Sequence, residues 1–340
     1  MFQNQTKAYK QFVFFIILHY NKDGDAMKKR KLKKKVKFLM GGLLIFVILI
    51  IVLIKIVNYH NSIEYKLKEI GYSKEEIAEI VTLKSEVVDQ ILTMEYNSNI
   101  LTFTKEKYFL LKNLGAYLSY YKQNPKLSTS KIVSLINVKA NYEHYDNNIV
   151  EPTDTNKENL MLVNKYHYLT ESYQPEVQNV SIMYAYDDNQ LLESTLNAYI
   201  KMWKAASKDN ITLIASSSYR TYEEQKKLWE SRAAISMKDA DDSTARAGFS
   251  EHQTGLAIDI LTYNTTLSTF EESDAFKWLS SNAYKYGFIL RYPKGKEWIT
   301  GYQYESWHYR YIGVEAATQI YNENITFEEY YAYYIEKSSN

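Results

Sequence analysis

The chain has 340 residues, with 41 Lys+Arg against 40 Asp+Glu and no cysteine. That length suits two domains of roughly 100–200 residues each, and a composition 46% hydrophobic and 24% charged excludes wholesale disorder. A net charge of +1 excludes nucleic-acid binding through the surface as a whole, and the missing cysteine excludes a disulfide framework, thiolate zinc sites, a thiol nucleophile and a lipidated cysteine anchor.

In chain order, residues 28–37 (KKRKLKKKVK) form a block of eight basic residues. Residues 38–57 (FLMGGLLIFVILIIVLIKIV) follow, broken only by Lys55. At about 1.5 Å per helical residue, twenty such residues match a hydrocarbon core of about 30 Å, and Lys55 can snorkel to the interface. Positive charge before the span and not after it places the N-terminus in the cytoplasm and the rest of the chain outside. A cleaved signal peptide is the other reading. The apolar run is long for one, and NYHNSIEY holds no small-x-small cleavage site. Residues 1–37 therefore read as a cytoplasmic basic N-terminus and 38–57 as an uncleaved membrane helix. Met27 reads as the true start, with 1–26 a mis-called extension.

Residues 58–138 carry short amphipathic helical patterns. Ser73 with Glu76 is a capping box, followed by Ile77, Ile80 and Val81 at helical spacing. Thr104 is expected to open a helix bearing Tyr108, Leu111 and Leu114, and Ser128 or Ser130 one bearing Ile132, Val133 and Ile136. This region reads as an extracellular stalk or partner-binding module, or as a plain spacer, and no pattern in it specifies a protein partner. The polar, Asn-rich residues 139–159 read as a linker.

From residue 160 helical and strand patterns alternate. A helix face runs from Leu191 to Trp203, 211–219 reads as a strand, and Thr221 opens a charged helix. Residues 236–250 lack apolar periodicity and read as a loop, either a lid or an ordinary disordered surface segment. Further strands fall at 255–261, 288–292 and 307–312, with a helix over 271–286. This mixed order predicts an α+β fold rather than a doubly wound sheet.

The chemistry gathers at these strands. His252 lies before one strand, Asp259 on it, and His308 on another with Glu305 three residues earlier. Two His and one Asp suit one zinc ion (Zn) and leave a fourth position for water, whose pKa zinc lowers to about 7. Glu305 is placed to act as general base, passing the proton to a leaving amine. Residues 305 and 308 face opposite sides of an ideal strand, so Glu305 must sit on a bend before it. Spacing alone leaves a purely structural role open. His144 and His167 have no partners at ligand spacing and read as structural or exposed.

Three segments, SSYRTYEEQ (217–225), SEHQTGLAID (250–259) and ITGYQYESWHYRYIG (299–313), resemble the signature blocks of the VanY-type D-alanyl-D-alanine carboxypeptidases, zinc DD-peptidases and L,D-carboxypeptidases with the Hedgehog/DD-peptidase fold. LVNKYHYLTESYQPEV (162–177) resembles that family's opening segment, so the likeness covers residues 160–325 of a catalytic domain at 160–340. It implies His252, Asp259 and His308 as zinc ligands, Glu305 as catalytic glutamate and Arg220 as the arginine that binds substrate. A guanidinium there can hold a carboxylate or a developing oxyanion. Ser250, Gln225 and Tyr222 are candidate substrate contacts, while Trp307 and Arg310 are expected behind the site, steering His308. The implied activity is removal of the terminal D-Ala from peptidoglycan stem peptides at the outer face of the membrane. The alternatives are an L,D-carboxypeptidase acting on tetrapeptide stems and, in another class, a wall-binding protein with a structural zinc.

Overall fold

A computed structural model of the chain describes residues 29–186 and 188–336. The proposed extension 1–26 lies outside the described residues, as does the first residue of the basic block. The chain divides between Ser98 and Asn99 into two compact units.

In the first unit, helix α1 (Lys29–His60) carries the apolar run. Phe38, Leu44, Leu49 and Leu53 are exposed, so its apolar surface packs on nothing among the described residues. The segment from Lys35 to His60 is long and apolar enough to cross a membrane. Three short helices follow: α2 (Ile63–Ile70), α3 (Lys74–Ile80) and α4 (Ser85–Ile91). Ser62 caps α2, and the Ser73–Glu76 box caps α3. Leu67, Ile80 and Ile91 are fully buried.

The second unit begins with α5 (Ile100–Thr104), α6 (Leu114–Gln123) and α7 (Thr129–Asn137). Thr104 ends a helix rather than opening one, because its hydroxyl donates back to the Leu101 carbonyl at 3.1 Å. The chain then extends at Leu110, whose N–H donates to the Tyr117 hydroxyl at 3.2 Å. Ser128, not Ser130, caps α7. These helices share a unit with the C-terminal segment. The Tyr108 hydroxyl donates to Glu323 at 2.5 Å, and the buried Ser134 hydroxyl donates to Glu329 at 2.7 Å.

The stretch expected as a linker is folded. Strand β1 (Glu151–Pro152) pairs in parallel with β2 (His167–Tyr168), through Glu151 N–H to the Tyr166 carbonyl at 2.9 Å and Thr153 N–H to the Tyr168 carbonyl at 2.8 Å. Its polar residues serve turns: Asp146 and Asp154 accept the backbone N–H groups of Asn148 and Asn156. A composition that reads as linker is here a set of side-chain-supported turns.

Strands β3 (Val177–Asn179) and β4 (Gln190–Leu192) form a hairpin leading into α8 (Glu193–Lys208). The central sheet comprises β5 (Ile214–Ser217), β6 (Ala257–Leu261), β7 (Phe288–Leu290) and β8 (His308–Tyr311), in the antiparallel order β5-β6-β8-β7. Between β5 and β6 lie α9 (Tyr222–Ala233) and α10 (Met237–Ser243); the latter occupies the stretch expected to be loop. Helix α11 (Asp274–Asn282) precedes β7, a short turn α12 (Glu297–Thr300) precedes β8, and α13 (Val314–Glu323) with α14 (Phe327–Tyr330) follows it.

Alternation along the strands divides the sheet into two faces. Ile258, Ile260 and Tyr309 join the core with Tyr199 and Met202 of α8, Leu279 of α11 and Phe288. Asp259 and His308, one residue out of step, point the other way. Every residue of β6 is nonetheless buried, so the second face is covered as well.

Candidate metal centre and catalytic cleft

Register builds the site. Asp259 pairs across the ladder with His308 on one side and Ser217 on the other, so the two candidate ligands meet because β6 and β8 are neighbours. His252 arrives on a short 3-10 turn (Glu251–Thr254) that Ser250 caps through its hydroxyl oxygen. Gly255 ends this turn at φ +70°, and a Cβ there would come within 3.1 Å of Val177 and 3.2 Å of Leu192. Glycine takes this left-handed conformation without strain, and the turn brings His252 back over β6.

His252 Nδ1 donates to the Ser218 carbonyl at 2.6 Å, leaving Nε2 to face Asp259 Oδ2 at 3.5 Å. His308 Nδ1 lies 2.9 Å from Asp259 Oδ1. The two imidazoles sit 4.9 Å apart and nearly perpendicular, and one donor atom from each of the three residues lies within 4.8 Å of the others, all buried. Two imidazole nitrogens and a carboxylate converging in a protected pocket fit zinc.

Glu305 sits on the bend just before β8, its N–H donating to the Tyr292 carbonyl at 3.1 Å. From there its carboxylate comes within 3.8 Å of His308 Nδ1. Burial pushes its pKa up to about 7 against the pull of the neighbouring His308. A carboxylate poised near neutrality is suited to taking and returning a proton.

Arg220 follows β5 into the turn before α9. Its N–H donates to the His252 carbonyl at 3.1 Å, while its guanidinium donates to Gln225 Oε1 at 2.7 Å and Ser217 Oγ at 3.0 Å. It faces a cavity of about 600 Å³ together with Ser250, Glu305, Tyr292, Trp307 and Arg232. The Gln225 amide is committed at both ends, its nitrogen donating to the Ala245 carbonyl at 2.6 Å, so it holds Arg220 in place. Tyr222 does not line this cavity; one helical residue after Thr221, its ring turns toward Gly248 instead. The 236–250 stretch forms a fixed wall. Asp241 accepts from Arg246 and from Trp229, its carbonyl accepts from Lys165 at 2.7 Å, and the Asp242 carbonyl accepts from Gln303 at 3.1 Å.

His144 packs near the Tyr166 ring, and His167 is buried between Asn164 and Glu151. Glu151, His167 and Glu336 also come together, with Lys139 on Glu151 at 2.8 Å. Sequence reasoning overlooked Glu251, Arg291, Glu328 and Arg232. For Arg291 a signal existed, since a lone charge inside FILRY interrupts an apolar strand. Arg310 shares the parity of His308 on β8 and so lies on the same face; it reaches that histidine only through Glu251, to which its guanidinium donates at 2.8 Å.

An antiparallel α+β sheet presenting two histidines and an aspartate beside a raised-pKa glutamate and a tethered arginine defines a metallohydrolase site. A family model described as VanY, D-alanyl-D-alanine carboxypeptidase, matches residues 188–314. The putative carboxypeptidase YodJ of Bacillus subtilis is 38% identical over 192 residues, covering 53% of this chain and 69% of that one. A D-alanyl-D-alanine carboxypeptidase of Enterococcus faecium is 33% identical over 256 residues, covering 69% and 81%. Among solved structures, the LdcB LD-carboxypeptidase is 35% identical with a TM-score of 0.52, covering 56% of this chain and 94% of that one. The chain belongs to the VanY D-alanyl-D-alanine carboxypeptidase family.

Proposed function

We propose that this protein is a zinc-dependent D-alanyl-D-alanine carboxypeptidase that removes the terminal D-Ala from peptidoglycan stem peptides. The observation that carries this reading is the meeting of His252, Asp259 and His308 with the Glu305 carboxylate 3.8 Å from His308 Nδ1, all on the wall of a cavity that Arg220 also faces. A structural zinc needs neither Glu305 nor Arg220.

His252, Asp259 and His308 would hold the zinc, which supplies Lewis acidity toward a carbonyl and lowers the pKa of water. Glu305 takes a proton from the attacking water as the C–O bond forms, then delivers it to the amine as the C–N bond breaks, so it ends the cycle as it began. Arg220, oriented by Gln225 and Ser217, offers its remaining N–H groups to the negative charge that develops on the carbonyl oxygen or to the substrate carboxylate. Ser250 is buried in the cavity wall, where its hydroxyl oxygen accepts from the His252 N–H and its hydroxyl proton can be offered to a peptide carbonyl.

The likeness to the LdcB LD-carboxypeptidase structure favours a second reading, cleavage of tetrapeptide stems. The test incubates the zinc-loaded chain, solubilised in detergent, separately with muramyl pentapeptide and muramyl tetrapeptide and follows products by mass spectrometry. Loss of one alanine from the pentapeptide alone is expected; loss from the tetrapeptide moves the assignment to L,D-activity. No loss from either, with zinc bound, leaves the wall-binding reading. Glu305→Gln is expected to retain zinc and to lose roughly 10²–10⁴-fold in kcat/KM, and an active, zinc-bound Glu305→Gln enzyme would overturn the assigned base.

For topology, α1 anchors the protein as a single span, with the basic residues 28–37 in the cytoplasm and catalysis by 160–340 outside. Alkaline phosphatase fused after residue 60 is then active in cells, whereas an inactive fusion contradicts this orientation.

A further inference from the structure

Glu251, the residue before His252, has a side chain with no exposure at all, as have Arg291 and Arg310. A carboxylate removed from water this completely is costly unless it is paired and hydrogen-bonded. Here Oε1 accepts from Arg291 Nε at 2.7 Å and from Arg310 Nη1 at 2.8 Å. Arg291 is forked in turn onto Glu328, Nη1 at 3.0 Å and Nη2 at 2.5 Å. Both arginines take the same oxygen of Glu251. The other, Oε2, is turned to His308 Nε2 at 3.5 Å.

A neutral imidazole carries one proton, and whichever nitrogen bears it cannot serve as a metal donor. His308 presents Nδ1 to Asp259 at 2.9 Å and Nε2 to Glu251. His252 is arranged the other way round, with its Nδ1 spent on the Ser218 carbonyl at 2.6 Å. The two histidines therefore offer opposite nitrogens to the same point.

We propose that Glu251 is the positioning residue for the metal centre: its Oε2 accepts the Nε2 proton of His308 and so fixes the tautomer that frees Nδ1 as a donor. This rests on the reading of the site as a zinc centre. The two arginines hold Glu251 in that attitude, and Glu328 on α14 accepts from Arg291 one step further from the metal centre.

Glu251→Gln inverts the arrangement. The arginines claim the amide oxygen, the amide NH₂ then faces His308 Nε2, and the histidine proton is driven to Nδ1. Zinc affinity of the detergent-solubilised full chain, measured by chelator competition, is expected to fall 10–100-fold, the range for losing a partner of a ligating histidine. Glu328→Gln loosens the same network without touching His308 and is expected to change affinity less than threefold. Histidine ¹⁵N NMR of the zinc-loaded wild type is expected to find His308 protonated at Nε2; this arm stands even where Glu251→Gln fails to fold. A Glu251→Gln affinity within threefold of wild type, an equal loss in Glu328→Gln, or a His308 unprotonated at Nε2 would each overturn the role of Glu251. A wild-type chain that binds no zinc would instead overturn the zinc reading on which it stands.

Discussion

At the scale of single residues, the site depends on how far water is withdrawn from each charge. Glu305 is a carboxyl pushed up to about 7 by burial, from an ordinary value of 4.5. A bound divalent cation favours the ionised form and draws that value down again. The base must be ionised to accept a proton, so activity is lost as pH falls through its pKa. The acid limb of kcat/KM is expected between 4.5 and about 7, with unit slope. A limb that survives Glu305→Gln in the residual activity would assign the titration to another group. Arg220 makes a companion case. Arg220→Lys keeps the charge but cannot span Gln225 and Ser217 while still reaching substrate, and a loss of about 10²–10³-fold in kcat is expected. An equal loss confined to KM would place Arg220 on the ground-state carboxylate instead.

Local elements deliver these residues to the cleft, and their signals are short-range. Thr221 accepts the Glu224 N–H at 3.2 Å and Glu224 accepts the Thr221 N–H at 2.8 Å, a capping box opening α9 one residue after Arg220. Thr221→Ala is expected to cost about 1 kcal/mol, or roughly 2–4 °C in thermal midpoint for a unit of this size. Gly255 is more severe: at φ +70°, with neighbours 3.1–3.2 Å from any Cβ, Gly255→Ala should cost about 1–3 kcal/mol and weaken zinc binding, because the strained turn carries His252. A Gly255→Ala chain as stable as wild type by calorimetry would remove that argument. Such features were readable from sequence because they span three or four residues. Thr104 misled for the opposite reason: a threonine can cap the helix that follows or bond back to the helix it ends, and only the extended backbone at Leu110 decides.

For the whole molecule, the boundary that composition suggests differs from the one that packing draws. The compact unit begins at Asn99 and not after residue 138. Ser134 and Tyr108 bond to Glu329 and Glu323 on the C-terminal helices, and Val138 packs with Ile299 and Ala332. A chain starting at residue 160 leaves those apolar and polar faces open and loses the β1 strand as well. At about 1 kcal/mol per hydrogen bond, plus about 25 cal/mol per Å² of newly exposed apolar surface, the deletion should cost several kcal/mol. Thermal unfolding of residues 99–340 is therefore expected to be cooperative, and that of 160–340 to begin about 10 °C or more lower. Equal midpoints would make 99–138 a mere spacer.

What the sequence by itself determined is whatever depends on local pattern or on residue type. The apolar span, the capping box at Ser73, the helix start at Thr221, the strand alternation around Asp259 and the chemical suitability of His252, Asp259, His308 and Glu305 all follow from neighbours a few positions away. The tertiary structure alone decided the pairing of β6 with β8, which sets Asp259 against His308 across 49 residues of chain. It also decided that Gln225 holds Arg220 while Tyr222 turns away, and that residues 139–159 are ordered turns. The burial of Glu251 between Arg291 and Arg310 belongs with these. A charged side chain reads as solvated in any one-dimensional pattern, because its partners come from distant segments, and only the fold shows which charges lie where water cannot reach.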